Sequence, residues 1–223
     1  MKELKKKVET AIAERLAEYG FKKTKYGYVK SANKDLHQLI YCNFVSRNKH
    51  RMECLIIVGV YSKKTADTLR EITGIPVGYG VMVGRNLEML IPKDKRTNWI
   101  FSIEDNYEHI NSNIKEIIET VKVYGFPYMD SFSSEPNFQN ELERRGAWHL
   151  LPIWYYIQGE KKYALLEIEQ RTERLTRIFS NDELQKYNSC YRGHWNEVPP
   201  IEYRELHSHL KYAEQFQNYL NSI

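Results

Sequence analysis

The chain has 223 residues, of which 42% are hydrophobic and 28% charged, with a formal net charge of +4. This composition can fill one large core or two small ones, and it excludes collagen-like and disordered classes. Charge is divided by position: residues 1–100 hold 20 Lys and Arg against 10 Asp and Glu, and residues 101–223 hold 13 against 19. That split bears on partners rather than on fold.

The first predicted element is an amphipathic helix in which Leu4, Val8, Ile12, Leu16 and Tyr19 recur at helical spacing up to Gly20. The same segment is interrupted by Glu3, Glu9, Glu14 and Glu18, so it does not read as a signal peptide. The period then changes. Tyr26–Lys30 reads as a short strand, and His37–Val45 with Met52–Tyr61 as a long hairpin joined by the cationic turn 46–51. The Met52–Tyr61 strand is apolar at almost every position, which predicts cover on both faces. Thr65–Ile72 reads as a short helix, and Val77–Val83, Leu87–Ile91 and Asn98–Phe101 as further strands.

Ser102 and Asp105 have the spacing of a capping box, opening a helix with Ile110, Ile114, Ile117, Ile118 and Val121 on one side and ending near Gly125 and Pro127. From there the pattern is helical. One helix carries Phe138 and Leu142 up to Gly146, and an aromatic-rich stretch covers Pro152–Ile157. Another helix carries Leu165, Ile168, Leu175 and Ile178. Ser180 and Glu183 form a second capping box, and the last helix carries Tyr203, Leu206, Leu210, Ala213, Phe216 and Leu220. The expected fold is α+β, an antiparallel sheet of five to six strands with flanking helices, followed by an all-helical C-terminal region. The composition change near residue 130 predicts an α+β domain over 1–130 and a helical region over 131–223.

The segment LAEYGFKKTKYGYVK, Leu16–Lys30, resembles the opening of a bacterial family catalogued as a domain of unknown function. Such chains start with an amphipathic helix, a Gly-Phe-Lys-Lys step and a strand with an aromatic and a basic residue. They continue through a hairpin, a strand like Leu55–Val60, a Trp-containing strand like Asn98–Phe101 and a helix ending before a step like Phe126-Pro127. The resemblance covers roughly residues 1–145. It implies an α+β fold and a bacterial or phage origin; it brings no activity that can be carried to residues here. Members that sit near toxin or defence genes imply an immunity-type role.

Candidate chemistry is sparse. Cys190, His194, His207 and His209 fall within 20 residues, and Cys and His are zinc's preferred ligands. His207 and His209 are two apart on a helix, however, so they point about 200° apart and cannot share an ion. Gly78, Gly80 and Gly84 lack the dinucleotide-binding spacing and a following helix, and read as glycines on a bent or closely approached strand. Glu53 is followed by Leu55 where a metal nuclease would place lysine, and no serine or cysteine carries a nucleophile signature. No cofactor and no metal site is expected. Cys42, Cys54 and Cys190 do not form a disulfide framework; a Cys42–Cys54 bridge is geometrically possible, but reduced thiols are expected. No apolar run approaches the roughly 18 residues of a membrane span, and the expected location is cytoplasmic.

Two binding surfaces remain. Lys22, Lys23 and Lys25, with Arg47, Lys49 and Arg51, fall at predicted turns and strand ends, as do Lys63, Lys64, Lys93, Lys95 and Arg96. Gathered on one sheet edge they would engage phosphates, with Tyr26, Tyr28 and Tyr41 stacking bases. Alternatively, aromatics of the acidic half, Trp148, Trp154, Tyr155, Tyr156 and Trp195, would form a protein interface. The sequence reading favours a non-enzymatic protein that binds a partner protein in an immunity or defence setting, with nucleic-acid binding by a basic sheet edge as the alternative.

Overall fold

The fold is described from a computed structural model, which describes residues 1–74, 82–191 and 200–222. The protein is α+β, with one antiparallel sheet followed by helices. Its internal contacts divide it into two compact units, residues 1–66 with 78–144 and residues 67–77 with 145–223. Residues just past 130 are tied to the sheet: the Asn33 amide donates to the Ser133 carbonyl at 3.0 Å, and buried Gln38 donates to Asp130 at 2.7 Å and to the Ser133 hydroxyl at 3.2 Å.

The first unit opens with α1 (Lys2–Ala17), which buries Leu4, Val8, Ile12 and Leu16 on one side. Gly20 follows with φ +85°, a conformation that favours glycine at a helix end. The strands are β1 (Lys22–Thr24), β2 (Gly27–Ser31), β3 (Leu36–Ser46) and β4 (Arg51–Ser62), paired in sequence order. Two short strands, β5 (Val83–Asn86) and β6 (Ile100–Ser102), both pair with β4. They lie along it one after the other: β5 runs opposite Ile57–Val60, and β6 opposite Arg51–Glu53.

Register sorts the side chains into two faces. Ile40, Cys42 and Phe44 on β3 oppose Val58, Ile56 and Cys54 on β4, and the β4 members of this set are at most 3% exposed. This is the core face. α1 lies on it, since the Tyr28 hydroxyl donates to the Glu9 carbonyl at 2.9 Å. α3 (Tyr107–Thr120) adds buried Ile114, Ile117 and Ile118. Its end does not stop at Gly125 and Pro127 as the sequence predicts. A wide helical turn over Val121–Gly125 leads directly into α4 (Phe126–Ser131), with Pro127 near its start. Gly125 packs closely there: a Cβ would sit 3.3 Å from a Val58 methyl.

The opposite face departs from the expected two-sided cover of β4. Leu39, Gly59 and Tyr61 are buried, but Leu55 and Ile57 are only half-buried and Tyr41 is exposed. Other predicted elements shift as well. Lys22 and Lys23 sit in the edge strand β1 rather than in a turn. Leu87–Ile91 is not a strand: Leu87–Met89 form one 3₁₀ turn that buries Leu87. Residues 77–81 of the predicted strand lie outside the described residues, and β5 begins at Val83, where Gly84 faces Gly59. Ser102 and Asp105 hold a tight turn instead of capping a helix. The true cap of α3 is Asn106, whose side chain accepts from the His109 amide at 2.8 Å.

α2 (Lys63–Thr73) follows β4, with the Ser62 hydroxyl accepting from the Thr65 amide at 3.1 Å. α5 (Glu135–Arg145) ends at Gly146, φ +58°. The second unit then holds α6 (Leu151–Ile157), α7 (Lys161–Thr176), α8 (Asn181–Tyr191) and α9 (Ile201–Asn221). The Ser180–Glu183 capping box forms as predicted: the Glu183 carboxylate accepts from the Ser180 amide at 2.8 Å, and the Ser180 hydroxyl accepts from the Glu183 amide. α9 turns inward Tyr203, Leu206, His209, Tyr212, Phe216 and Leu220, leaving the predicted core residue Leu210 exposed. No described helix is long and apolar enough to cross a membrane.

Candidate binding surface at the β3–β4 turn

The basic residues singled out in the sequence do not share one rim. Lys25 lies in the β1–β2 turn, which reaches only as far along the sheet as Tyr41. β3 continues five residues further to Ser46, roughly 17 Å at 3.4 Å per residue. Lys63 and Lys64 follow the far end of β4, roughly 36 Å from Arg51 along the strand. Several of these charges are also engaged locally. Lys23 pairs with Glu9 at 3.1 Å, Lys25 stands over the Tyr26 ring at 4.7 Å, and the Arg96 Nε–H donates to the Ile91 carbonyl at 3.2 Å. Tyr28 is 3% exposed and cannot stack a base.

What the fold does gather is the β3–β4 turn. Arg47 reaches back across it to Glu53, a carboxylate that is 3% exposed on β4. The Asn48 side chain accepts from the amides of His50 at 2.8 Å and Arg51 at 2.9 Å, and the Arg47 amide donates to the Arg51 carbonyl at 3.0 Å. An Asx turn of this kind gives the loop one defined shape. Lys49 and Arg51 are therefore presented, exposed, from an ordered backbone.

Apolar side chains come to the same place. Arg51 opposes Ser102 across β4 and β6, and the Ile103 amide donates to the His50 carbonyl at 3.0 Å. This brings Ile100 and Ile103 next to the cationic turn, with Tyr107 four residues further on at the start of α3; they are 40%, 48% and 79% exposed respectively. Glu104 and Glu108, also exposed, flank them on the α3 side. The β3–β4 turn and the chain leaving β6 thus bring exposed cations close to exposed apolar residues, with exposed carboxylates next to these in sequence. Burying such side chains against a partner gains roughly 25 cal/mol per Å² of apolar surface, while the charges fix orientation.

Sequence reasoning found Arg47, Lys49 and Arg51 but missed Ile100, Ile103 and Tyr107. A three-residue strand, a connection and the first residue of a helix carry no period that links Ile100, Ile103 and Tyr107, and it is the β4–β6 register that sets Ile100 and Ile103 next to the turn. The aromatic interface proposed for the acidic half is placed differently. Trp154 is wholly buried and Tyr155 nearly so, because α6 turns Leu151–Tyr155 inward. Both are core side chains and present no surface to a partner. Trp195 lies outside the described residues, as do His194, Gly78, Gly80 and the Cys190 side chain.

Cys42 and Cys54 are free, and contact with the Cys42 thiol together with burial pushes the Cys54 thiol well above its ordinary range, so it is no thiolate. His209 is buried with its Nε2 held by the Ile168 carbonyl at 3.2 Å. Among the described residues no group of three His, Cys, Asp or Glu side chains could hold a metal ion. A cavity of about 10 Å³ bordered by Glu53, Asn86, Glu88 and Trp99 has room for one water and nothing larger. Comparison of the chain with protein-family models, curated proteins and solved structures finds no match.

Proposed function

We propose that this chain is a non-enzymatic binding protein that recognises a partner protein through the β3–β4 turn end of its sheet. The observation that carries the reading is that the Arg51–Ser102 register and the Ile103–His50 hydrogen bond bring the turn bearing exposed Lys49 and Arg51 to exposed Ile100 and Ile103, with exposed Tyr107 following at the start of α3. Aromatic and Arg side chains around a small apolar centre are the groups that carry most energy in protein interfaces. The complementary partner surface is apolar at its middle and acidic where it meets the turn. The setting we propose is bacterial immunity or defence, on the strength of the resemblance over residues 1–145. Nucleic-acid tracking finds less support, because the β1–β2 turn stops roughly 17 Å short of the β3–β4 turn along the sheet, Lys63 and Lys64 lie at its other end, and several of the cations are already paired.

The test is quantitative capture from cells, followed by reconstitution with the purified captured protein. Ile103→Asp with Tyr107→Ala is expected to weaken that complex at least about tenfold, which is about 1.4 kcal/mol. Lys63→Glu with Lys64→Glu, at the other end of β4, is expected to leave it unchanged. Equal binding by all variants would overturn the proposal. So would tight binding of mixed-sequence DNA or RNA at moderate salt with no protein captured.

A further inference from the structure

A second feature lies wholly within the helical unit and takes no part in that surface. His209 on α9 is 0% exposed. Its Nε2 lies 3.2 Å from the Ile168 carbonyl and 3.0 Å from the Thr172 hydroxyl, both on α7. The Thr172 hydroxyl itself donates to the Ile168 carbonyl at 2.8 Å. Nε2 therefore carries the ring proton, and Nδ1 is left as a bare lone pair, buried and without a hydrogen-bond partner among the described residues.

The surroundings oppose a second proton. Arg171, one turn along α7 from Ile168, has a side chain only 10% exposed. Its guanidinium lies 4.8 Å from the centre of the Trp148 ring, and the same indole meets the His209 ring edge-on at 5.4 Å. Arg171 is paired on one side with Glu205, which precedes His209 by one turn of α9, while its Nε is buried and unpartnered. The charged groups acting on His209 are thus Arg171 and Arg174 from α7 and Glu205 from its own helix. From the segment before α6 it meets the neutral Trp148 ring. Burial, then the two arginines, hold its imidazole below the ordinary value of 6.5, against the pull of the Ile168 carbonyl and Glu205.

We propose that His209 is a proton-sensitive lock on the α7–α9 pair: neutral, it ties α9 to the Ile168 carbonyl; protonated, it sets an unsolvated cation beside Arg171 and releases the helices. The sign follows from linkage. The unfolded chain takes up the proton first, so stability is complete above about pH 6.5 and declines as the pH falls below it. His149 also sits near Arg171 and is shifted the same way by burial and by that charge. Its contribution must be separated.

The experiment is thermal melting of the full chain by circular dichroism at about pH 7.5 and about pH 5.5, for the wild type, His209→Gln and His149→Gln. Glutamine keeps an amide N–H for the Ile168 carbonyl but cannot take up a proton. The wild type is expected to lose at least roughly 2–4 °C on acidification, His149→Gln to keep most of that loss, and His209→Gln to lose less than half of it. An undiminished loss in His209→Gln, or its disappearance in His149→Gln instead, would overturn the lock. If His209→Gln does not fold, the wild-type ring resonances decide. They are expected to stay unprotonated until the α7 and α9 amide signals collapse. A His209 ring that titrates near its ordinary value within an intact fold would refute the proposal.

Discussion

The Arg47–Glu53 pair sets the shape of the cationic turn, and its energetics are open to a direct test. Glu53 has a side chain only 4% exposed, whereas Arg47 is 55% exposed. A fully buried pair broken on one side costs about 3–5 kcal/mol, and a surface pair about 0–1. With one partner buried and the other half in water, solvent screening places Arg47→Ala between them, at about 1–3 kcal/mol. Most of that cost is the buried carboxylate left without its partner. In a Glu53→Gln background there is no buried charge to strand, so the same Arg47→Ala change should cost at least about 1 kcal/mol less. The assay is urea denaturation of all four chains, followed by circular dichroism. Equal costs for Arg47→Ala in the two backgrounds would refute the coupling and with it the account of how the turn is held.

Other consequences follow from single positions. Gly27 has φ +129°, and a Cβ there would lie 2.6 Å from the Ile40 carbonyl oxygen; Gly27→Ala should destabilise by about 3 kcal/mol or more, read by urea denaturation. Phe101 is wholly buried opposite Met52; Phe101→Ala should cost about 3–5 kcal/mol in the same assay and loosen β6 with Ile103. Glu183 is held below the ordinary carboxylate value by hydrogen bonds from the Ser180 amide and hydroxyl. Its folded-state value is therefore the lower one, so its contribution is present at neutral pH and is lost as acidification passes through that value. Ser180→Ala should move the Glu183 titration upward in an NMR pH series, and an unmoved titration would contradict the role of the hydroxyl.

The parts of this fold legible in the sequence are those in which side-chain chemistry and period agree. The α1 stripe and the long β3–β4 hairpin are of this kind, as is the Ser180–Glu183 cap. β1 was hidden because Lys22, Lys23 and Thr24 are all exposed on an edge and carry no alternation. The α3 cap was misplaced because Ser102 and Asp105 satisfy each other in a turn, a competing use of the same residues. On α9 the inward stripe includes His209 and Tyr212, polar types that a hydrophobic period passes over, so neighbouring Leu210 took their place in the sequence reading. The candidate surface was half visible. Cations mark turns in any sequence, but which turns share an end of the sheet depends on strand lengths and register. The apolar half comes from β6 and the residues that follow it, which the pairing of β6 with β4 brings into place.

The most direct measurement of the central claim is an amide hydrogen-exchange footprint of the captured partner on this chain. Binding through the β3–β4 turn predicts slowed exchange over residues 47–51 and 100–107, with α7 and α9 unchanged. Protection confined to the helices after residue 145, or to the β1–β2 turn around Lys25, would contradict it.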